Sequence, residues 1–148
     1  MATPEIILVP IDFSDASHAA LARARNLAAR LDMEIVLLHV YTIPLVSYPG
    51  TEPLVFPNLA GDIVTAAKRA LDDLARASNV DRALMREGDP GAEILKAIED
   101  IKPAMVVMGT AGRHGLAHLL LGSVAEKVVR MSPVPVLTVH AAHKEKAA

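Results

Sequence analysis

Five short aliphatic runs alternate along the chain with segments in which apolar residues recur at helical spacing. The runs are predicted strands, at Glu5–Ile11, Glu34–Tyr41, Asp81–Gly88, Ala104–Met108 and Val134–His140. Strands that alternate with helices are typical of β-α-β units, which build a parallel sheet with helices on both faces. Because crossovers between parallel strands are almost always right-handed, few topologies remain. We consider the doubly wound order 3-2-1-4-5.

The composition agrees with such a sheet. Hydrophobic residues make up 52% of the chain but aromatic residues only 3%, so the core must be aliphatic, as in the buried strands of parallel sheets. A length of 148 residues suits one domain. We therefore predict a single domain over residues 1–148, with its core at about 4–140 and a flexible tail at 141–148.

Charge and residue usage exclude several classes of function. A formal net charge of -2 gives no general attraction to nucleic acid or to an anionic membrane surface. With 0 Cys, thiolate catalysis and cysteine-ligated metal sites are excluded. The chain shows neither a secretory signal nor an apolar run of the ~20 residues that span a bilayer. We expect a soluble cytoplasmic protein.

Capping residues and prolines predict where the helices begin. Predicted starts are Ser14, about Leu59, Pro90 and Ser123. Ser123 and Glu126 have the spacing of a capping box in which Ser123 is the N-cap. The segment Thr42–Asn58 contains four prolines and no regular period, so we interpret it as a long surface connection. Arg82 and Arg86 interrupt the third strand and favour an edge position for it.

A candidate ligand site lies where the winding direction reverses. In open doubly wound sheets, ligands bind outside the carboxyl ends of the strands at this point, here between strands one and four. Strand one ends in Pro10-Ile11-Asp12, and the stretch Gly109–Ser123 after strand four holds four of the 8 glycines. Glycines allow sharp turns or close approach of a ligand, and helix-terminal amides at Gly122-Ser123, with Arg113, would attract phosphate. Simple turn and capping roles for Asp12, Ser123 and the glycines remain the alternative.

Two common nucleotide-binding motifs do not fit this stretch. A P-loop requires G-x-x-x-x-G-K-[ST], and Gly122-Ser123 has no lysine between its residues and no glycine five positions earlier. The dinucleotide motif G-x-G-x-x-G is also missing, since Gly109, Gly112 and Gly115 are three residues apart and follow the fourth strand.

The glycine spacing resembles that of the ATP-binding branch of the universal stress protein family. The shared pattern is Gly109, two residues, Gly112, nine residues, then Gly122-Ser123. The start, "ILVPIDFSD", and the close, "SVAEKVVRMSPVPVLTVH", are similar to that family's first and last elements, so the likeness covers residues 4–140. The family's fold is the 3-2-1-4-5 sheet considered above, which is Rossmann-like and of the adenine nucleotide alpha hydrolase type.

The resemblance also implies a ligand and a set of contacts. Adenine and ribose would lie near Pro10, Asp12 and the backbone of Val40, with Met108 and Gly109 lining the site. The residues implied to hold ribose and phosphates are Gly112, Gly122, Ser123 and Val124. ATP is the implied cofactor, with Mg2+ carried by the triphosphate rather than by a protein cage. A homodimer through the last strand, Val134–His140, is implied as well.

These features predict a nucleotide-dependent sensor or regulator of stress response, with slow ATP hydrolysis at most. Asp12 is the only obvious carboxylate at the site, and the resemblance places it away from the γ-phosphate. An interaction module that binds no nucleotide, or a slow ATPase, is the alternative. A phosphoacceptor receiver domain fits less well, because Phe13 follows Asp12 and Pro90 follows Asp89. A metallohydrolase built on His114 and His118 lacks the glutamate of H-E-x-x-H.

Overall fold

The computed structural model describes residues 2–111 and 121–141. Strands and helices alternate in these ranges: β1 (Ile6–Pro10), α1 (Asp15–Leu31), β2 (Glu34–Tyr41), α2 (Pro57–Ala77), β3 (Arg82–Glu87), α3 (Pro90–Ile101), β4 (Met105–Gly109), α4 (Ser123–Met131) and β5 (Val136–Val139). All strand pairs are parallel, and the sheet order is β3-β2-β1-β4-β5. The predicted fold is confirmed, including the edge position of the strand that carries Arg82 and Arg86.

The aliphatic core forms two layers, one on each face of the sheet. Side chains alternate between faces along a strand, so Ile7 and Val9 of β1 pack on one side and Leu8 on the other. The first layer includes Leu21 of α1 and Leu71 of α2. The second includes buried residues of α3 and α4, namely Ile94, Ala97, Ile98, Ala125 and Val128. Helices α1 and α2 therefore cover one face, and α3 and α4 cover the other.

The helix starts follow the capping chemistry of the sequence in most cases. The Ser14 hydroxyl accepts a hydrogen bond from the Ser17 amide at 3.2 Å, so Ser14 is the N-cap of α1 as predicted. Pro90 begins α3 as predicted. Helix α2 begins at Pro57, two residues before the predicted start at Leu59, because a proline suits the first turn of a helix.

The loop after β2 contains a bridge that was not predicted, and the last strand is shorter than predicted. The loop after β2 crosses the surface, with one antiparallel bridge between Val46 and Leu54. Strand β5 covers only Val136–Val139 of the predicted Val134–His140. The preceding Pro133 and Pro135 have no amide hydrogen to extend a ladder, which accounts for the shorter strand. In the described part of the chain, no helix combines the length and the apolarity that crossing a membrane requires.

Candidate functional site

The carboxyl ends of β1 and β4 separate at the centre of the sheet. Strand β1 pairs with β2 as far as Pro10 opposite Leu38, whereas its pairing with β4 ends at Leu8 opposite Val106. Beyond Pro10 the chain stays with β2, because the Ile11 amide donates to the Leu38 carbonyl oxygen at 2.8 Å. The divergence lies at the reversal of winding direction, where sheets of this kind have the crevice that binds ligands.

Val40 turns its main chain toward this crevice. Backbone groups alternate sides along a strand, and in β2 the Glu34 amide and the Leu38 carbonyl bond toward β1. By this alternation the amide and carbonyl of Val40 also point toward β1, but β1 has already ended there. The carbonyl of the next residue, Tyr41, points the other way and accepts from the Gly88 amide on the β3 side at 3.0 Å. Among the described residues, the main-chain hydrogen bonds outside the helices and sheet ladders include none to the amide or carbonyl of Val40. Both groups are thus placed to bind the edge of a planar ligand.

The turn after β1 is fixed by side chains on both of its flanks. Asp12 Oδ1 accepts a hydrogen bond from the Ser14 amide at 3.0 Å and another from the Ser14 hydroxyl. Phe13 adopts a left-handed φ of 63°, and its ring packs against that of His39 with 4.8 Å between centroids. His39 Nδ1 lies 2.7 Å from the Ile11 carbonyl oxygen and must donate, since a carbonyl only accepts. One carboxylate oxygen of Asp12 therefore stabilises the turn, which leaves the other oxygen for the expected contact with a ligand.

Gly109 is explained by helix packing at the end of β4. A Cβ at this position would lie 2.8 Å from both the Cβ and the backbone carbon of Ala16, and 2.9 Å from the Ser17 amide nitrogen. These distances are far shorter than van der Waals contact, so α1 can lie this close to β4 only because residue 109 is glycine. The missing side chain makes room for α1, whereas the sequence had suggested a sharp turn or the approach of a ligand.

Thr110 connects the end of β4 to β5 and to the start of α4, a role that the sequence did not reveal. It is only 5% exposed, its amide donates to the Val139 carbonyl at 3.0 Å, and its hydroxyl lies 3.1 Å from His140 Nδ1. Its carbonyl accepts from the Gly122 amide at 2.6 Å. Thr110 thereby fixes the start of α4 beside the crevice. Its position inside the glycine motif was the only available signal.

The N-cap of α4 is Gly122, and the predicted capping box is wrong. Gly122 has extended backbone angles, φ -60° and ψ 162°, and its carbonyl accepts from the Glu126 amide at 2.9 Å. Ser123 is therefore the first helical residue, and no side chain caps the helix among the residues that the structure describes. Helix geometry leaves the amides of Ser123, Val124 and Ala125 without intrahelical acceptors. These amides and the exposed Ser123 hydroxyl form a site suited to an anion.

The remaining predicted residues divide into apolar neighbours of the crevice and residues outside the described ranges. Pro10 is buried, Met108 is 4% exposed in the α3–α4 layer, and Val124 packs partly against the same layer. Gly112 and Arg113 lie outside the described residues, as do His114 and His118 of the metallohydrolase alternative.

The structure also bears on the receiver-domain alternative considered from sequence. Asp89, the candidate phosphoacceptor of a receiver domain, is the N-cap of α3 and accepts from the Ala92 amide at 2.9 Å. Its carboxylate is thus engaged in capping a helix.

This arrangement combines three kinds of contact at one edge of the sheet. The main chain of Val40 offers one donor and one acceptor, the side chains of Pro10 and Met108 are apolar, and the first turn of α4 offers amides. A planar heterocycle needs apolar walls and hydrogen bonds at its edge, while a phosphate needs donors. The set therefore suits a ligand with both parts, such as a nucleotide.

Comparison with known proteins gives a consistent family assignment. The model of the universal stress protein family matches residues 4–140. A universal stress protein of Methanocaldococcus jannaschii is 35% identical over 142 residues, covering 94% of this chain and 84% of the relative. Another protein of that archaeon, solved as a hypothetical protein, has a TM-score of 0.77 at 25% identity and covers 97% of this chain and 100% of its own.

Two similar structures contain adenine nucleotides. A universal stress protein solved in complex with cAMP has a TM-score of 0.62 and 27% identity, covering 95% of this chain and 100% of its own. A family protein from Arabidopsis thaliana solved with AMP bound has a TM-score of 0.62, covering 98% of this chain and 97% of its own. Its identity of 20% shows a likeness of fold.

Proposed function

Because the chain belongs to the universal stress protein family, we propose that it binds ATP and acts as a nucleotide-dependent sensor or regulator in stress response. The observation that carries the proposal is the start of α4, where Gly122 replaces a side-chain cap and leaves the first amides open to an anion. The relative solved with cAMP supports an adenine nucleotide as the ligand class.

The proposed binding mode follows from the positions of these groups. The adenine ring lies between Pro10 and Met108, with its edge bonded to the main chain of Val40. The free oxygen of Asp12 accepts a hydrogen bond from ribose. The phosphates bind the amides and hydroxyl at the start of α4, together with Gly112 and Arg113. Residues that remain unassigned to ligand contact, such as Thr110, act by holding these elements in place.

Mg2+ in this proposal is bound by the triphosphate and completes its coordination with water. The described residues fit this arrangement, because the start of α4 supplies amide donors for phosphate. Efficient hydrolysis requires a residue that orients or activates water. Asp12 is a poor choice for that task because Ser14 already engages one of its oxygens. We therefore propose slow hydrolysis at most.

Nucleotide recovered from the purified protein tests the proposed function directly. The protein is denatured, the released small molecules are identified by mass spectrometry, and saturable binding of labelled ATP with Mg2+ is measured in parallel. We expect recovered or bound ATP, with hydrolysis well below the roughly 1 to 1000 turnovers per second of ordinary enzymes. An empty protein that shows no saturable binding of ATP, AMP or cAMP would identify it instead as an interaction module.

We also propose a homodimer formed through β5. The amide of Val106 donates to Pro135 and the amide of Thr110 donates to Val139, so odd-numbered residues of β5 bond to β4. By alternation, the amides and carbonyls of Val136 and Thr138 point to the open edge of the sheet. Leu137 is 38% exposed on the same strand. An edge with free main-chain groups and apolar side chains is suited to pairing with a second copy.

Thr138→Pro tests this dimer because it removes one amide from the open edge and leaves the β4 ladder intact. We expect the variant to remain folded but to sediment as a monomer at concentrations where the unchanged protein is a dimer. Thr138→Val is the matched control, since it keeps the amide and should keep the dimer. A Thr138→Pro variant that still forms the same dimer would place the interface elsewhere.

A further inference from the structure

Lys127 of α4 crosses the first turn of α3 to reach Asp89. Its Nζ lies 3.4 Å from Asp89 Oδ2, and the aliphatic stem occupies the space where Gly91 lacks a side chain. A Cβ on Gly91 would lie 2.8 Å from Lys127 Cδ. The contact therefore depends on three residues from two helices that share one face of the sheet. Neither charged residue has a role in the binding mode described above.

The pair lies next to the start of α4. Ser123 and Lys127 are four residues apart in one helix, so they occupy the same helix face with their Cβ atoms about 6 Å apart. Helical side chains lean toward the N-terminus, which brings the ammonium group toward Ser123 and the carboxyl edge of the sheet. Asp89 lies at that edge too, because it comes two residues after the end of β3.

Asp89 remains an anion at neutral pH. The pKa of its carboxyl lies below the ordinary value, chiefly because the carboxylate accepts a hydrogen bond from the Ala92 amide, and Lys127 adds to the effect. Without Lys127, a negative charge would therefore stand near the site proposed for phosphate. The other charged side chains in the first two turns of α3 and α4 form pairs, Glu126 with Arg130 on α4 and Glu93 with Lys96 on α3.

We propose that Lys127 is a specificity-determining residue that cancels the charge of Asp89 and so allows phosphorylated adenine ligands to bind at the start of α4. This inference rests on the proposed function. The net charge of the pair then sets the affinity for phosphate: the unchanged pair is neutral, loss of the lysine charge leaves -1, and loss of the aspartate charge leaves +1. A mere brace between α3 and α4 would not depend on sign in this way.

Variants that change the pair's charge separate these two roles. Lys127→Met keeps the aliphatic stem over Gly91 and removes the charge, while Asp89→Asn keeps an acceptor for the Ala92 amide. We would measure dissociation constants for ATP, AMP and adenosine at low and high salt in both variants, in the double variant and in Lys127→Arg. Lys68→Met, in α2 on the opposite face of the sheet, is the matched control, because it also removes the lysine of an ion pair, here with Asp72. Thermal unfolding of each variant verifies the fold.

The expected affinities follow the charge of the pair. Lys127→Met should bind ATP and AMP about threefold more weakly at low salt, and Asp89→Asn about threefold more tightly. The double variant, Lys127→Arg and Lys68→Met should match the unchanged protein. Adenosine, which has no phosphate, should bind all of them alike, and the differences should shrink at high salt.

Two other results would overturn the inference, and they differ from a failure of the proposed function. Equal weakening of all ligands in both single variants would show that the pair only braces the helices. Unchanged affinities for ATP and AMP would show that the pair has no part in binding. If the unchanged protein bound none of the three ligands, the proposed function itself would fail, and this inference with it.

Discussion

Replacing Gly109 by alanine is expected to lower the free energy of unfolding by about 3 kcal/mol, the upper range for an overpacked core. The new methyl group would lie 2.8 Å from two atoms of Ala16, the backbone carbonyl carbon and the Cβ. Neither atom can move away by rotation of a side chain. Helix α1 must then move off β4. The melting temperature, measured by circular dichroism, should fall by about 10 °C.

Gly61→Ala is the matched control for this change. Gly61 lies inside α2, and a Cβ there would meet no atom within 4 Å. Alanine is favoured over glycine in a helix interior, so this variant should gain about 0.5 to 1 kcal/mol. The two Gly→Ala changes should therefore have opposite signs. Equal melting temperatures for Gly109→Ala and the unchanged protein would contradict the packing role assigned to Gly109.

The sheet could be predicted from sequence because its determinants are local and periodic. Each strand is a short aliphatic run, and the right-handed crossover rule restricts how such runs connect. The edge position of β3 followed from Arg82 and Arg86. The carboxyl edge between β1 and β4 was predicted as the site region for the same reason, since it depends on topology alone.

The details that were missed depend on single hydrogen bonds or on contacts between distant elements. Glycine and serine are both common N-caps, so the sequence could not tell Gly122 from Ser123; the bond from the Gly122 amide to Thr110 decides it. Gly109 packs against α1, and no local sequence pattern shows which element packs against a glycine. Lys127 and Asp89 are 38 positions apart and meet only because α3 and α4 pack together.

Changing Ser123 to aspartate is expected to lower ATP affinity by at least about fivefold while leaving the protein folded. Ser123 is the first residue of α4, where a negative side chain interacts favourably with the helix dipole, so stability should rise by about 0.5 kcal/mol. The same carboxylate would stand where we propose that phosphate binds. Repulsion between unit charges about 4 Å apart costs about 1 to 4 kcal/mol near a protein surface. Isothermal titration calorimetry and thermal unfolding measure the two effects separately.

Two further variants at this position distinguish charge from shape and from capping. Ser123→Asn has the shape of aspartate without its charge, and should retain most of the ATP affinity. Ser123→Ala should change the free energy of unfolding by less than about 0.5 kcal/mol, because the N-cap is Gly122 and the serine hydroxyl caps nothing. A loss near 1 kcal/mol, the usual cost of removing an N-cap, would instead restore the capping role to Ser123. If Ser123→Asp bound ATP as tightly as the unchanged protein does, the phosphates would not bind at the start of α4, because the aspartate carboxylate there must repel them.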